Sequence, residues 1–391
     1  MKRVLFYFNN FCGPDSHGGT EIATYRIAKA LGDSGLCQIF HACHGAPEEP
    51  GIYSKVISLP KDTKGFSSVL SNFIKENEID NVVVMSRFFK YPKILKAIEL
   101  SGRKPTLIFM QHFAPGSEKK KTSYPASWHL LKMNPRRVKY WLRAIFYPLL
   151  KLPRTLRWKS VYKNVYEKSD RIVLLSEGYK SDYANFAGLR DQSKFVAIPN
   201  IFLPDEGRKA LPSNKGKRVL IMSRMDELQK RISLALQIWR KIEDDPDLSE
   251  WRLDIVGDGN NTDIVKRLIK KLELENAVYH GWQKREPFLE NASILMLTSE
   301  YEGLPLSILE ARAYGVVPIA FNSFASLKDV VTPFENGVVV DDFGDIGSFA
   351  QKLSELMYSD DYRRELAANA HKDFNRFSPE TIAQQWLKIL T

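Results

Sequence analysis

The sequence predicts an α/β protein of two domains, each built on a parallel sheet. Three observations carry this. Short, continuously apolar runs alternate with amphipathic helical stretches along most of the chain, the pattern of strands covered by helices on both faces. The alternation breaks once, at the polar stretch LPDEGRKALPSNKGK around residues 204–217, whose prolines and glycines read as a linker. The length of 391 residues exceeds what one core comfortably serves, so two domains of roughly 200 residues each are expected.

The first series opens with VLFYF at residues 4–8, apolar throughout rather than alternating. Further strands are expected at 38–41, 55–59, 81–85, 106–111, 171–175 and 195–198. Between them lie helical patterns such as TEIATYRIAKALGDSG, FSSVLSNFIKENEI and YPKILKAIEL. The second series holds the strands RVLIMS, RLDIVGDG, AVYHG, SILMLTS, VVPIAF and GVVV. Its helices are ISLALQIWRKIEDD, TDIVKRLIKKLEL, PLSILEARAYG and a group from Ile346 onward. The last stretch, SPETIAQQWLKIL, reads as an amphipathic helix with Ser378 as N-cap. Two such domains leave a cleft at the carboxyl ends of their strands, where open α/β sheets bind ligands.

Composition narrows the function classes. The hydrophobic fraction is 44%, which excludes wholesale disorder. No apolar run reaches the length of a membrane span. The first apolar run is too short for a signal peptide, so a cytoplasmic location is expected. Cys12, Cys37 and Cys43 share no metal-ligand spacing and read as buried small hydrophobes. The net charge of +11 is local: residues 119–166 hold 13 Lys and Arg and no Asp or Glu, which leaves the rest of the chain near −2. A local basic patch implies a local partner: a membrane surface, a phosphorylated substrate or nucleic acid.

Candidate site residues concentrate in the second series. Glu302 follows an apolar strand, and Glu310 lies among Leu309, Ala311 and Ala313 inside a helix. A carboxylate there is suited to accept hydrogen bonds from a diol such as a ribose. Gly303 and Pro305 lie between the two acids, and the N–H groups of Leu306 and Ser307 open the helix, an arrangement suited to phosphate. SRMDELQKR follows the strand RVLIMS, and its Arg224 and Lys230 offer a planar fork and a point charge for a pyrophosphate. Gly257 and Gly259 of GDG form a tight turn at a strand end, read as approaching a base or ribose. Gly18 and Gly19 precede the first helix and let its N-terminus approach a ligand. His112 ends the strand TLIFMQH. Neither GxGxxG nor GxxxxGK[ST] occurs, so neither a dinucleotide fingerprint nor a P-loop is present. An incidental surface helix, a solvated loop and a structural histidine are the plainer readings of these groups.

Taken together these residues resemble the retaining GT-B glycosyltransferases of family 4, the glycosyl transferases group 1. The likeness is fullest over the second series. In the first it rests on Gly18–Gly19, Gln111–His112 and Ile198–Asn200. The resemblance implies two Rossmann-like domains with parallel sheets facing across a deep interdomain cleft. It implies an acceptor-binding domain at 1–203, a nucleotide-sugar domain at 204–375 and a C-terminal helix at 376–391 packing back on the first domain. It assigns Glu310 to the donor ribose, Glu302 to the transferred sugar, and Arg224 and Lys230 to the donor diphosphate. The family usually has Gly after this lysine, where this chain has Arg231. The common EGFG loop appears as Glu302-Gly303-Leu304-Pro305.

The chemistry so implied is transfer of a sugar from a nucleotide-diphosphate sugar to a hydroxyl of a saccharide or lipid-linked saccharide, with retention of configuration. No metal and no cofactor beyond that donor is expected. Arg224, Lys230 and helix N–H groups stabilise the leaving diphosphate, a donor phosphate oxygen helps deprotonate the acceptor, and His112 orients the acceptor or the sugar. The basic segment 119–166 interleaves Trp128, Trp141, Trp158, Tyr140, Tyr147 and Phe146 with its charges, which suits an anionic bilayer interface. Peripheral attachment to the inner face of the cytoplasmic membrane is therefore expected. Its core reads as a helix pair interrupted by Pro148 and Pro153. The competing readings are a phosphorylase or sugar-phosphate transferase on the same fold, and a basic nucleic-acid-binding or membrane-binding protein without transferase activity. No nucleic-acid module accompanies the charge.

Overall fold

The computed structural model describes residues 1–16, 18–47, 49–61, 65–121, 131, 138–202, 215–370 and 372–391. Trp128, Arg136 and Arg137 of the basic segment, and most of the linker around 204–217, lie outside the described residues. The chain divides into two compact units. The first comprises Met1–Gly116, Leu156–Leu203 and Phe374–Thr391; the second comprises Ser117–Thr155 and Pro204–Asp373.

The first unit carries strands β1 (Lys2–Tyr7), β2 (Cys37–Cys43), β3 (Lys55–Ser58), β4 (Asn81–Met85), β5 (Thr106–Gln111), β6 (Arg171–Leu174) and β7 (Phe195–Ala197). All pairings are parallel, in the order β3-β2-β1-β4-β5-β6-β7. Helices α1 (Gly19–Asp33), α2 (Phe66–Glu76) and α3 (Tyr91–Ser101) follow β1, β3 and β4, and β2 runs to β3 without a helix. Every residue of β4 is buried, as a strand covered by helices on both faces requires. Two further helices follow β5 in the chain, α4 (Ser117–Lys121) and α5 (Val138–Lys168), and α6 (Gly178–Ala187) joins β6 to β7.

One helix replaces the pair expected across Pro148 and Pro153: α5 runs unbroken through both. Each internal proline costs about 3 kcal/mol in a helix. The C-terminal turns of α5 are anchored, with Tyr162, Val165 and Tyr166 buried. The Tyr162 ring stacks on Phe88 at a centroid distance of 4.8 Å, and Lys194 Nζ donates to the carbonyls of Tyr166, Glu167 and Ser169. Helical stability in proteins comes chiefly from such packing, and it extends the helix through unfavourable residues.

The second unit holds β8 (Arg218–Met222), β9 (Arg252–Val256), β10 (Ala277–Gly281), β11 (Ile294–Leu297), β12 (Val317–Phe321) and β13 (Val338–Val340). They are parallel in the order β10-β9-β8-β11-β12-β13. Its helices are α7 (Glu227–Lys230), α8 (Ile232–Glu243), α9 (Thr262–Lys271), α10 (Glu286–Asn291), α11 (Leu306–Ala313), α12 (Ile346–Tyr358) and α13 (Asp360–Asn369). Counted within the unit this is the doubly wound order 3-2-1-4-5-6. The direction of winding reverses between β8 and β11, so the loops leaving those two strands diverge to opposite faces and leave a crevice where ligands bind. The core lies between sheet and helices, around Trp239, Leu253, Ile294 and Phe349. Arg312 of α11 is fully buried inside the unit, donating to the carbonyls of Val330 and Ala370 and pairing with Asp373.

The chain returns to the first unit at Phe374. Helix α14 (Pro379–Leu387) is capped by Ser378, whose hydroxyl accepts from Thr381 N. Its apolar face packs on α1 and buries Trp386, whose ring lies 6.3 Å from that of Phe6 in β1. Thr391 exchanges hydrogen bonds with the Asn81 side chain, at 2.9 and 3.0 Å. Removing the ring of Trp386 leaves a cavity against the central strand. The Trp386→Ala variant should lose about 3–5 kcal/mol of first-unit stability, measured by urea unfolding.

Candidate functional site

The site is built where the winding of the second sheet reverses. The loop leaving β8 is shaped by a close backbone approach. A Cβ at Gly257 would stand 1.9 Å from the Ser223 carbonyl oxygen, and one at Gly259 would stand 2.7 Å from that of Met225. Gly257 also takes φ +128, a conformation closed to other residues. With both side chains absent, Met225 N donates to Asp258 O at 3.0 Å and Asn261 N to Met225 O at 3.0 Å. The expected turn is there, and its glycines serve the packing of the Arg224 loop.

Asp226 then starts α7, its carboxylate accepting from Leu228 N and Gln229 N at 3.1 and 3.3 Å. At the end of α7 Arg231 takes φ 52, the left-handed region. It occupies the N-cap position of α8 without capping it. Buried Glu227 serves instead, accepting from Ser233 N at 3.1 Å and from the Ser233 hydroxyl. A carboxylate at a helix N-terminus satisfies an orphan donor and the helix dipole together.

The second loop leaves β11. Three consecutive carbonyls of the first loop accept from it: Gln229 O from Glu300 N at 2.8 Å, and Lys230 O and Arg231 O from the Thr298 hydroxyl at 2.9 and 3.2 Å. Between the loops, Lys230 Nζ meets Glu302 Oε1 at 2.5 Å, with side chains 15% and 8% exposed. Gln229 Nε2 donates to Glu302 Oε2 at 3.2 Å and to Tyr301 O at 3.3 Å. Gln229 in turn accepts from Arg224 at 3.2 Å, and Arg224 remains largely exposed. Thus Arg224 and Lys230 of one loop and Glu302, 72 residues beyond Lys230, form one cluster. The Arg224 guanidinium is 59% exposed and lies 3.6 Å from the Asp226 carboxylate, while the Lys230 ammonium pairs with Glu302 at 2.5 Å.

Gly303 is buried in the turn before α11. Pro305 stands at the N-cap rather than in the first helical turn, and no side chain caps the helix. Leu306 and Ser307 are its first two residues. Glu310 lies one turn further on, in an ion pair with Arg285 at the start of α10.

Gly18, Gly19 and His112 belong to the first unit. Gly18 is the N-cap of α1 with no side-chain cap, and Gly19 is its first residue. Glu21 turns back toward Gly18 and accepts from Asn10 Nδ2 at 2.9 Å. His112 follows β5, its N–H donating to the Ser86 hydroxyl at 2.7 Å. The ring is 94% buried by exposure of the residue, and its Nε2 has no hydrogen-bond partner among the described residues. Burial lowers its pKa to about 3.

Sequence reading missed Gln229, the pairing of Arg231 with Glu300 and the partner of Glu310. Only Asp226 carried a local signal, as an acid immediately before a short helix. The others depend on contacts across 25 to 73 residues.

Comparison with known proteins follows this geometry. Residues 205–373 match the family described as glycosyl transferases group 1. The matched span lies in the second unit. Over the full length of both proteins the chain is 25% identical to an uncharacterized glycosyltransferase of Haemophilus influenzae. It is 29% identical over 180 residues to the amylovoran biosynthesis glycosyltransferase AmsD of Erwinia amylovora, spanning 46% of this chain and about half (49%) of that relative. The structure of Anabaena HepE in complex with UDP-glucose superposes with a TM-score of 0.73 over 99% of each chain at 16% identity. The two parallel-sheet α/β domains of the chain have the GT-B fold. Residues 205–373 contain every candidate residue of the sequence reading except Gly18, Gly19 and His112.

Two buried histidines give the first unit a pH response. His41 lies between the carbonyls of Phe6 and Asn10 at 3.1 and 3.3 Å, and burial lowers its pKa to about 4. Both His41 and His112 are neutral when folded, whereas an unfolded histidine protonates near pH 6.5. The stability they contribute is complete above pH 6.5 and is lost as pH falls towards their folded values. The expected slope is about 1.4 kcal/mol per pH unit for each, down to about pH 4 for His41. Urea titrations from pH 7 to pH 4 should show that decline, and His112→Asn should reduce its slope by about half.

Proposed function

We propose that the chain is a retaining, metal-independent glycosyltransferase of family 4. In this reading it moves a sugar from a nucleotide-diphosphate sugar to a hydroxyl of a saccharide or lipid-linked saccharide acceptor in bacterial surface polysaccharide or glycolipid synthesis. The observation that carries it is the Lys230–Glu302 pair at 2.5 Å, set beside exposed Arg224 and the uncapped start of α11. These are the parts needed to bind a diphosphate with a sugar attached.

Arg224 and Lys230 receive the donor diphosphate, and the first N–H groups of α11, at Leu306 and Ser307, add their dipole to the same anion. As the bond to the sugar breaks, negative charge grows on the leaving diphosphate. Fixed cations stabilise that charge more in the transition state than in the bound donor. Glu302, released by Lys230 when the diphosphate arrives, faces the sugar. Glu310 accepts the ribose hydroxyls, with Arg285 orienting its carboxylate. No side chain is assigned as a nucleophile: a donor phosphate oxygen takes the acceptor proton on the face the leaving group departs from, which gives retention. Neutral His112 is assigned the orientation of the sugar or the acceptor. The amylovoran and lipopolysaccharide enzymes among the relatives support the choice of acceptor class, and HepE with UDP-glucose supports that of donor.

The proposal extends to the inner face of the membrane. Among the described residues no helix is long and apolar enough to cross a bilayer. Helix α5, however, exposes Trp141, Leu142, Ile145, Phe146, Leu152 and Leu156 at 45–66%. They sit within the segment that has 13 basic and no acidic residues. Apolar side chains among cations fit the headgroup level of an anionic bilayer.

Two measurements test the parts separately. Calorimetric titration with UDP-, GDP-, ADP- and dTDP-sugars should find one donor nucleotide, and Glu310→Ala should weaken it by about ten- to a hundredfold, as loss of hydrogen bonds to a charged group does. Unchanged affinity would remove Glu310 from the ribose. The wild-type protein should sediment with phosphatidylglycerol vesicles. Neutralising Arg136, Arg137 and Lys139 should weaken that about a hundredfold, at roughly 1 kcal/mol per charge; no vesicle binding by the wild type would remove the membrane.

A further inference from the structure

Arg231 is a costly residue at its position. It holds φ 52, where any side chain with a Cβ is strained and glycine is not. Its side chain is not idle. The guanidinium grips one oxygen of Glu300 through both Nε, at 2.8 Å, and Nη2. The two side chains are only 15% and 21% exposed, so the pair is largely withdrawn from the solvent screening that makes surface pairs weak.

The placement of this pair is specific. Arg231 adjoins Lys230, and Glu300 lies two residues before Glu302. The backbones are already stitched by the hydrogen bonds from residues 298–300 to three consecutive carbonyls. Those bonds hold the loops together along their length. The ion pair adds a side-chain brace beside the Lys230–Glu302 pair.

We infer that Arg231 is a positioning residue whose ion pair with Glu300 fixes the Lys230 ammonium relative to Glu302, and so fixes the charge that meets the departing diphosphate. This rests on the assignment of Lys230 to the donor diphosphate. The brace touches no substrate. It acts through the loop, and its loss lets the ammonium shift. Stabilisation of charge that grows in the transition state depends on position more steeply than ground-state binding does, so turnover falls further than donor affinity.

The competing role is purely structural: the pair merely holds a strained loop. Arg231→Gly separates the two, because glycine relieves the strain while it removes the brace. The expected result is a melting temperature within about 4 °C of wild type, kcat reduced about tenfold or more, and donor KM changed less than about threefold. Glu300→Gln should match it, and the double variant should be no worse than either single, since both remove one interaction. Arg231→Lys, which keeps the charge without the fork, should recover part of the loss. Lys230→Ala is the control, measured with the same donor and acceptor. If Lys230→Ala and Arg231→Gly both keep kcat within about twofold of wild type, the diphosphate assignment is wrong and the inference falls with it. If Lys230→Ala loses turnover while Arg231→Gly and Glu300→Gln keep it, the positioning role alone is overturned.

Discussion

Lys230 and Glu302 lie 72 residues apart in the chain and 2.5 Å apart in space. Nothing local brings them together. The sheet does so: β8 and β11 are neighbours with opposite sense of winding, so the loops that leave them border one crevice. Paired charges in a partly dry site are held only if each is satisfied while empty. Here the lysine neutralises the acid, and Gln229 fills the second carboxylate oxygen. The same arrangement leaves Arg224 exposed, with Asp226 3.6 Å away.

The cluster depends in turn on bare backbone. Gly257 and Gly259 let the β9 loop press against Ser223 and Met225, and that contact sets the direction in which Arg224 and α7 leave the sheet. Stability and chemistry are linked at this point. A methyl group at either glycine moves the loop that carries the charges, with no change to any charged residue. Asp226 and Glu227 complete the frame by capping α7 and α8, so the four residues of α7 are fixed at both ends.

Much of this was legible in the sequence, for a physical reason. Continuous apolar runs such as VVVM of β4 admit few readings other than a strand buried on both faces, and a single linker separates the two series. Charges next to strand ends, such as Arg224, Lys230 and Glu302, fall at the ligand edge of any parallel sheet. What could not be read was pairing. The Arg285 partner of Glu310 and the Glu300 partner of Arg231 depend on which loops the sheet order makes adjacent, and Arg231 at a left-handed position contradicts local preference outright. The glycines of GDG were read for ligand approach, and the sequence did not show that their backbone also packs against Ser223 and Met225. Helix α5 shows the opposite failure: Pro148 and Pro153 are strong local signals, and the buried turns beyond them prevail.

The central claim is that Lys230 reads the second phosphate of a donor nucleotide. The most direct measurement is calorimetric titration of wild-type and Lys230→Ala protein with matched nucleoside diphosphates and monophosphates. Wild type should prefer the diphosphate by about tenfold or more, and the variant should lose most of that preference while binding the monophosphate nearly as well. A variant that keeps the full preference would contradict the account.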